Sequence, residues 1–246
     1  IETTRYERFE IIVVDNGSDD EQVLSYLEAI KSDRISVIHD SRPFNYSALN
    51  NLAVRQARGD VIALLNNDIE VISPGWLGEM VSHALRPEVG AVGAKLLYPD
   101  ATVQHGGVLL GVGGIAVHAH RGIPSNAHGY FSRATLINRF SAVTGACLVV
   151  RKALYEELGG LDEENLAVAY NDIDFCLRLR EAGYHNVWLP SAQLYHHVLR
   201  RCQPEIGGWP DQLHGPQSVA PQPVSKIGLR AVVHQNHTHG FRRQYP

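Results

Sequence analysis

VIALLNND, residues 61–68, is an apolar run that stops on two amides and a carboxylate. The unbroken apolar stretch Val61–Leu65 leaves no polar face, so it reads as a strand covered on both sides. Upstream, Glu10–Val14 (EIIVV) is a second buried strand, Asp19–Lys31 an amphipathic helix, Ile35–Ile38 a strand and Asn45–Ala57 a helix. Downstream, Pro74 opens a helix that runs to about Arg86, and Val89–Lys95 returns to the sheet. Strand-helix alternation at this spacing predicts crossover units, hence an α/β fold with a mostly parallel sheet flanked by helices.

From Tyr98 to Arg139 the pattern loosens into glycine, histidine and short apolar pieces, read as long loops and irregular strands over one face. Order returns with a strand at Gly145–Val150, a helix at Lys152–Leu158 stopped by Gly159-Gly160, a helix at Asp172–Ala182 and a strand at Tyr184–Leu189. Six of the twelve prolines fall in Val198–Pro246, where only Glu205 and Asp211 are acidic, so the chain divides into a domain over 1–197 and an irregular tail over 198–246. Lys226–His234 is the tail's one strand-like piece. The chain begins at Ile1, and Ile1–Glu10 reads as the tail of a helix leading into a strand, as expected of a fragment or a processed chain.

With 246 residues, 44% apolar and 20% charged, the chain can bury a substantial core. A net charge of −4 provides no broad basic field and argues against nucleic acid as the partner. Cys147, Cys176 and Cys202 are odd in number and widely spaced, which suits a reducing cytoplasm better than a disulfide framework. The longest weakly polar run, Gly106–Val117, is shorter than the roughly 20 residues of a spanning helix.

Parallel sheets bind ligands beyond the carboxyl ends of their strands. Asp15 ends one strand there, and Asn66-Asn67-Asp68 ends another. A carboxylate at such a place can accept the N3–H of uracil or thymine, or ligate a hard cation; a turn residue is the plainer reading of each. Asp172 lies in the first turn of a helix, where it is either a cap or a general base near the ligand. His196 and His197 end a strand and point to opposite faces, so one of them could complete a metal site. His118 and His120 share a face if extended and form a weaker metal candidate, and HQNHTHG in the tail resembles a chelating tract.

Taken in order, EIIVVDNGS, RPFNYSALNNLAVRQARGDVIALLNND, VTGACLVVRKALYEELGGLDE, YNDIDFCLRLREAGYHNVWLP and LYHH resemble the family 2 glycosyltransferases of the Rossmann-like GT-A fold. The likeness covers roughly residues 8–197 and is strongest to the rhamnosyltransferase-like, O-antigen or cell-wall polysaccharide branch. It implies that Asp15 reads the nucleobase and that Asp68, with His196 or His197, holds Mg²⁺ or Mn²⁺. It further implies that Asn50 and Asn67 lie by the donor and that Asp172 is the base of an inverting displacement. The partners so implied are a UDP- or dTDP-sugar and a glycan or lipid-linked acceptor, with attachment at the inner membrane face compatible with the latter.

Three departures stand out. Asn66 and Asn171 replace acids common in the family, no QxxRW stretch follows, and the family's first, central strand is missing. That loss would leave both flanking strands unpaired unless Lys226–His234, from this chain or a neighbour, fills the gap. A non-catalytic nucleotide-sugar-binding scaffold and a sugar nucleotidyltransferase are therefore the competing expectations.

Overall fold

The computed structural model describes residues 3–112, 116–197 and the backbone of 227–233. Its first half comprises β1 (Phe9–Asp15), α1 (Glu21–Ala29), β2 (Ile35–His39), α2 (Tyr46–Gln56), β3 (Val61–Leu65), β4 (Ile69–Val71), α3 (Trp76–Ala84) and β5 (Val89–Leu97). Short strands follow: β6 (Val103–His105), β7 (Val108–Leu110), β8 (Ala116–His118) and β9 (Asn138–Phe140). The rest is β10 (Cys147–Arg151), α4 (Lys152–Glu157), α5 (Asn171–Glu181), β11 (His185–His196) and β12 (Ile227–Val233). The Asp20 and Asn45 side chains cap α1 and α2 by accepting from Gln22 N and Ala48 N, which places both helix starts.

The main sheet runs in the order β2-β1-β12-β3-β10-β5-β11-β4, with β6 on β5 and β9 on β11. Strands β1, β2, β3, β5 and β11 share one direction, while β12, β10 and β4 oppose it. The sheet is therefore more mixed than the alternation predicts. No crossover helix joins β5 to β10: the chain leaves β5 at its carboxyl end, folds β6 back against Leu96–Leu97, and so enters β10 from that same edge.

The strand-like piece of the tail is in the sheet. β12 lies between β1 and β3, pairing Asp15 with Ile227 and Phe9 with Val233 on one side, and Ala63 with Ala231 on the other. The remaining tail residues, including the HQNHTHG tract, lie outside the described residues.

Alternation along the strands sorts the core into two faces. Ile12, Val14, Ile62, Leu64 and Leu148 pack with Leu49 of α2 and with Phe175 and Leu179 of α5. Ala63, Leu65, Val92 and Val149 pack with Trp76, Leu77 and Met80 of α3. Buried Asn51 ties α2 to the loop that leads toward α5. Its Oδ1 accepts from Tyr155 Oη (2.6 Å) and Leu161 N (3.0 Å), and its Nδ2 donates to Leu161 O (2.8 Å). Asn51→Leu strands the Leu161 backbone groups, so it should cost about 2 kcal/mol. In a thermal melt that is a fall of roughly 4–8 °C for a domain of this size.

Candidate active site

The carboxyl ends of β1, β3, β5 and β11 meet along one edge, where the buried strands end and polar residues begin. A cleft of about 300 Å³ opens there, and Asn66, Gln104, His118, Gly145, Asp172 and His196 are among its lining residues.

His196 is buried at the end of β11, and its Nδ1 lies 2.6 Å from Gln104 Oε1. The Gln104 amide nitrogen faces His196 O (3.3 Å), which orients its carbonyl oxygen toward the ring. A carbonyl oxygen only accepts, so Nδ1 carries the ring proton and Nε2 presents a lone pair. That lone pair lies 3.1 Å from Asp68 Oδ1 and 3.3 Å from Asn66 Nδ2. Asp68 Oδ1 is itself buried without a hydrogen-bond partner. Burial opposes ionisation of Asp68, but His196 in its protonated form, which would donate from Nε2, the Asp68 backbone N–H and His197 more than offset it and hold the carboxyl below its ordinary value. His197 projects to the opposite face, where its Nε2 lies 2.8 Å from Glu70 Oε2.

Asp172 sits in the first turn of α5, with Oδ2 accepting from Gly145 N (2.8 Å) and Oδ1 from Ile173 N (2.8 Å). A Cβ on Gly145 would stand 3.1 Å from Tyr46 Oη and 3.4 Å from Asp172 Cβ, so glycine is what lets this backbone approach both. Tyr170, just ahead of the helix, is left-handed (φ 63°), a strained conformation of the kind held at functional sites.

The histidines of the loop region separate. His118 Nδ1 lies 2.8 Å from His105 Nδ1, while His120 packs against Phe140 and Trp188. His105 Nε2 accepts from Thr144 N (3.4 Å), so its proton sits on Nδ1 and is donated to His118. His118 then carries its own proton on Nε2. Burial pushes both rings below the ordinary histidine value, which keeps the pair neutral.

Asp15 does not line this cleft. It closes an Asx turn at the end of β1, accepting from Ser18 Oγ (2.5 Å) and Ser18 N (3.1 Å), with His39 Nδ1 3.0 Å from its Oδ2. Next to it a second cavity of about 300 Å³ is lined by Asp40, Arg42, Phe44 and Leu49, and Asn16 braces it by donating to Asp40 O and Arg42 O. Asn67 is exposed at the turn before Asp68. Asn50 is wholly buried behind Tyr46, with Nδ2 donating to Tyr46 O (2.7 Å) and Oδ1 unpartnered.

Of the residues singled out in sequence, Asp172 and His196 line the cleft and Asp68 lies beside His196, whereas Gln104, His105, Tyr46 and Gly145 are passed over there. Gln104 and His105 lie in a region without periodicity, and only the glycine before Ala146-Cys147 hints at a close approach.

Residues 1–159 match the family described as glycosyl transferase family 2. The chain is 54% identical over 196 residues to uncharacterized protein y4gI of Sinorhizobium fredii, covering 79% of this chain and 22% of that one. It is 41% identical over 211 residues to the O-antigen biosynthesis protein RfbC of Myxococcus xanthus, covering 84% and 16%. An N-acetylglucosaminyl-diphospho-decaprenol L-rhamnosyltransferase of Mycobacterium tuberculosis is 28% identical over 151 residues, covering 56% of this chain and 47% of that one. The chain thus spans about a fifth of the length of the first two relatives. Among solved structures, GalNAc-T7 with UDP, GalNAc and Mn²⁺ superposes with a TM-score of 0.62 at 15% identity, over 77% of this chain and 38% of that one. The mannosyltransferase PcManGT of Pyrobaculum calidifontis with GDP-Man and Mn²⁺ superposes at 0.58 and 18%, over 82% and 52%.

Burial opposes ionisation of Asp15 too, and the Ser18 and His39 contacts outweigh it, so its folded value lies below the ordinary one. The stability this contributes is complete above the unfolded carboxyl value of about 3.9 and is lost as pH falls from there to the folded value. Urea midpoints measured down that range should fall less steeply in Asp15→Asn than in the wild type.

Proposed function

The chain belongs to glycosyl transferase family 2, and we propose that it carries out an inverting, metal-dependent transfer of a sugar from a UDP- or dTDP-sugar to a glycan or lipid-linked acceptor. One observation carries this reading: a helix-start carboxylate, Asp172, and His196 line the same cleft, with Asp68 Oδ1 3.1 Å from His196 Nε2.

Asp172 receives the proton of an acceptor hydroxyl. Its two hydrogen bonds from Gly145 N and Ile173 N fix the carboxylate and leave each oxygen a further lone pair to accept with. The hydroxyl oxygen then forms a bond to the anomeric carbon as the bond to the nucleoside diphosphate breaks. A single displacement inverts that carbon. Charge passes to the departing diphosphate, and His118, with its proton on Nε2, lines the cleft as a neutral donor.

Asp68 and His196 suit a divalent cation. A carboxylate oxygen with no hydrogen bond and an unprotonated imidazole nitrogen, approached at 3.3 Å by Asn66 Nδ2, stand 3.1 Å apart. That is close to the spacing of adjacent ligands around an ion with bonds of about 2.1 Å. Among the described residues no cluster of three or more His, Cys, Asp or Glu forms a metal site, which leaves positions for diphosphate oxygens and water. Mg²⁺ or Mn²⁺ held there would supply positive charge to the leaving group. We assign the nucleobase N3–H to Asp15, beside the Asp40–Arg42 cavity, and a donor contact to exposed Asn67. Asn50 acts through Tyr46, whose hydroxyl donates to Gly145 O (2.9 Å).

Two measurements test these roles. UDP or dTDP with Mn²⁺ should raise the melting midpoint more than either alone, and Asp68→Ala and His196→Ala should both erase the metal-dependent part. A wild type with no metal-dependent shift would favour the scaffold reading, which the lone acid of Asn66-Asn67-Asp68 motivates. Separately, Asp172→Asn should lower turnover by roughly 10²–10⁴-fold with nucleotide binding retained.

A further inference from the structure

Ahead of β9 the chain makes a tight turn, Tyr130–Ser132, whose outer side chains have no core to pack on. Tyr130 is 76% exposed, Phe131 78%, Leu136 56% and Ile137 54%. The Tyr130 and Phe131 rings pack edge to face on each other, 4.5 Å between centroids. Phe131 (φ 50°) and Ser132 (φ 60°) are both left-handed, a conformation unfavourable for such side chains. The fold thus holds a strained turn that displays an aromatic pair to solvent.

The base of this loop is fixed. Ala134 is fully buried and its N–H donates to His128 O (2.9 Å), while Asn138 Nδ2 donates to Arg133 O (2.8 Å) and Leu136 O (2.7 Å). Lys95, buried on β5 opposite Gln193, donates to Ser125 O (2.7 Å) and Ala134 O (3.4 Å). β9 runs antiparallel to β11, pairing Asn138 with Trp188 and Phe140 with Asn186, so the loop before it projects toward the carboxyl edge that bears the cleft.

Charge separates the possible occupants. From Ala101 to Tyr155 the chain has no aspartate or glutamate, although its net charge is −4. Arg133 in the loop and Arg139 beside it are both exposed. Side chains more than half exposed protrude, and they leave no groove for a shaped partner to fill. Protruding apolar tips flanked by two exposed arginines, with no acidic side chain in the segment, match a fluid surface with an apolar interior and phosphate headgroups.

We propose that the Tyr130–Ile137 loop docks this domain on an anionic phospholipid surface, with Tyr130, Phe131, Leu136 and Ile137 entering the interface and Arg133 and Arg139 meeting headgroup phosphates. This concerns where the domain sits and stands apart from the transfer reaction.

The test is co-sedimentation of the 246-residue chain with phosphatidylglycerol–phosphatidylethanolamine vesicles and, in parallel, with phosphatidylcholine vesicles. The chain should pellet with the first, less so as salt rises. Tyr130→Ser with Phe131→Ser should weaken that partition roughly tenfold or more. Arg133→Gln with Arg139→Gln should remove the preference for anionic lipid. These side chains are exposed, so melting midpoints should stay at the wild-type value, which separates lost docking from lost folding. A wild type left in the supernatant with anionic vesicles overturns the proposal, as do folded variants that bind like the wild type.

Discussion

Backbone N–H and C=O groups in a strand buried on both faces have no water to turn to, so every such strand needs a neighbour on each side. β1 and β3 are such strands: Ile11–Val14 and Val61–Leu65 are all buried. They do not pair with each other. β12, from far along the chain, completes both ladders, giving β1 the partner on that flank which β2 gives it on the other. Polar chemistry is displaced to the strand ends, and at the carboxyl edge Asp15, Asn66, Asp68 and His196 are found.

Within that edge, acceptor atoms decide where protons sit. Gln104 offers His196 a carbonyl oxygen, which places the ring proton away from Asp68 and leaves two lone pairs facing each other. Left alone, that is a repulsive arrangement of two acceptors. It persists because Gln104 holds Nδ1 and Asn66 Nδ2 donates to Nε2, and it becomes favourable with a positive charge between the two acceptors. The neighbouring chain from Thr144 N–H through His105 to His118 works the same way: a backbone donor at one end sets the tautomer of a ring at the other.

Much of the fold is legible in the sequence, and the reason is periodicity. Val61–Leu65 is a strand with the bounds its apolar run sets, and the caps at Asp20 and Asn45 mark helix starts within a residue or two. Asp68, Asp172 and His196 are readable because each ends or begins an element, where a polar residue interrupts a pattern. β4 was not readable: three residues, Ile69–Val71, are too few to show alternation, and only pairing with Leu194–His196 makes them a strand. Gln104 and His105 were likewise hidden, since the fold beyond β5 that places them is not encoded in local sequence, and His118, visible as a weak metal candidate, pairs with His105 instead. Asp15 is readable on the same ground, as the polar end of β1, whereas its contacts to Ser18 and His39 are not.

The reversal of β10 explains why the cleft has its base and its backbone donor in one place. Had β5 been followed by a crossover helix, β10 would begin at the amino edge, and Gly145 would lie about 16 Å from the strand ends, five residues at roughly 3.3 Å each. Instead the chain leaves β5 at the carboxyl edge and, after β9 has paired with Asn186–Trp188, is back at that edge by Thr144. It deposits Gln104, His105 and His118 as a wall there, and then delivers the Gly145 N–H to Asp172 as β10 sets off in the opposite direction. One departure from parallel topology thus supplies the wall of the cleft and the hydrogen bond that holds its carboxylate.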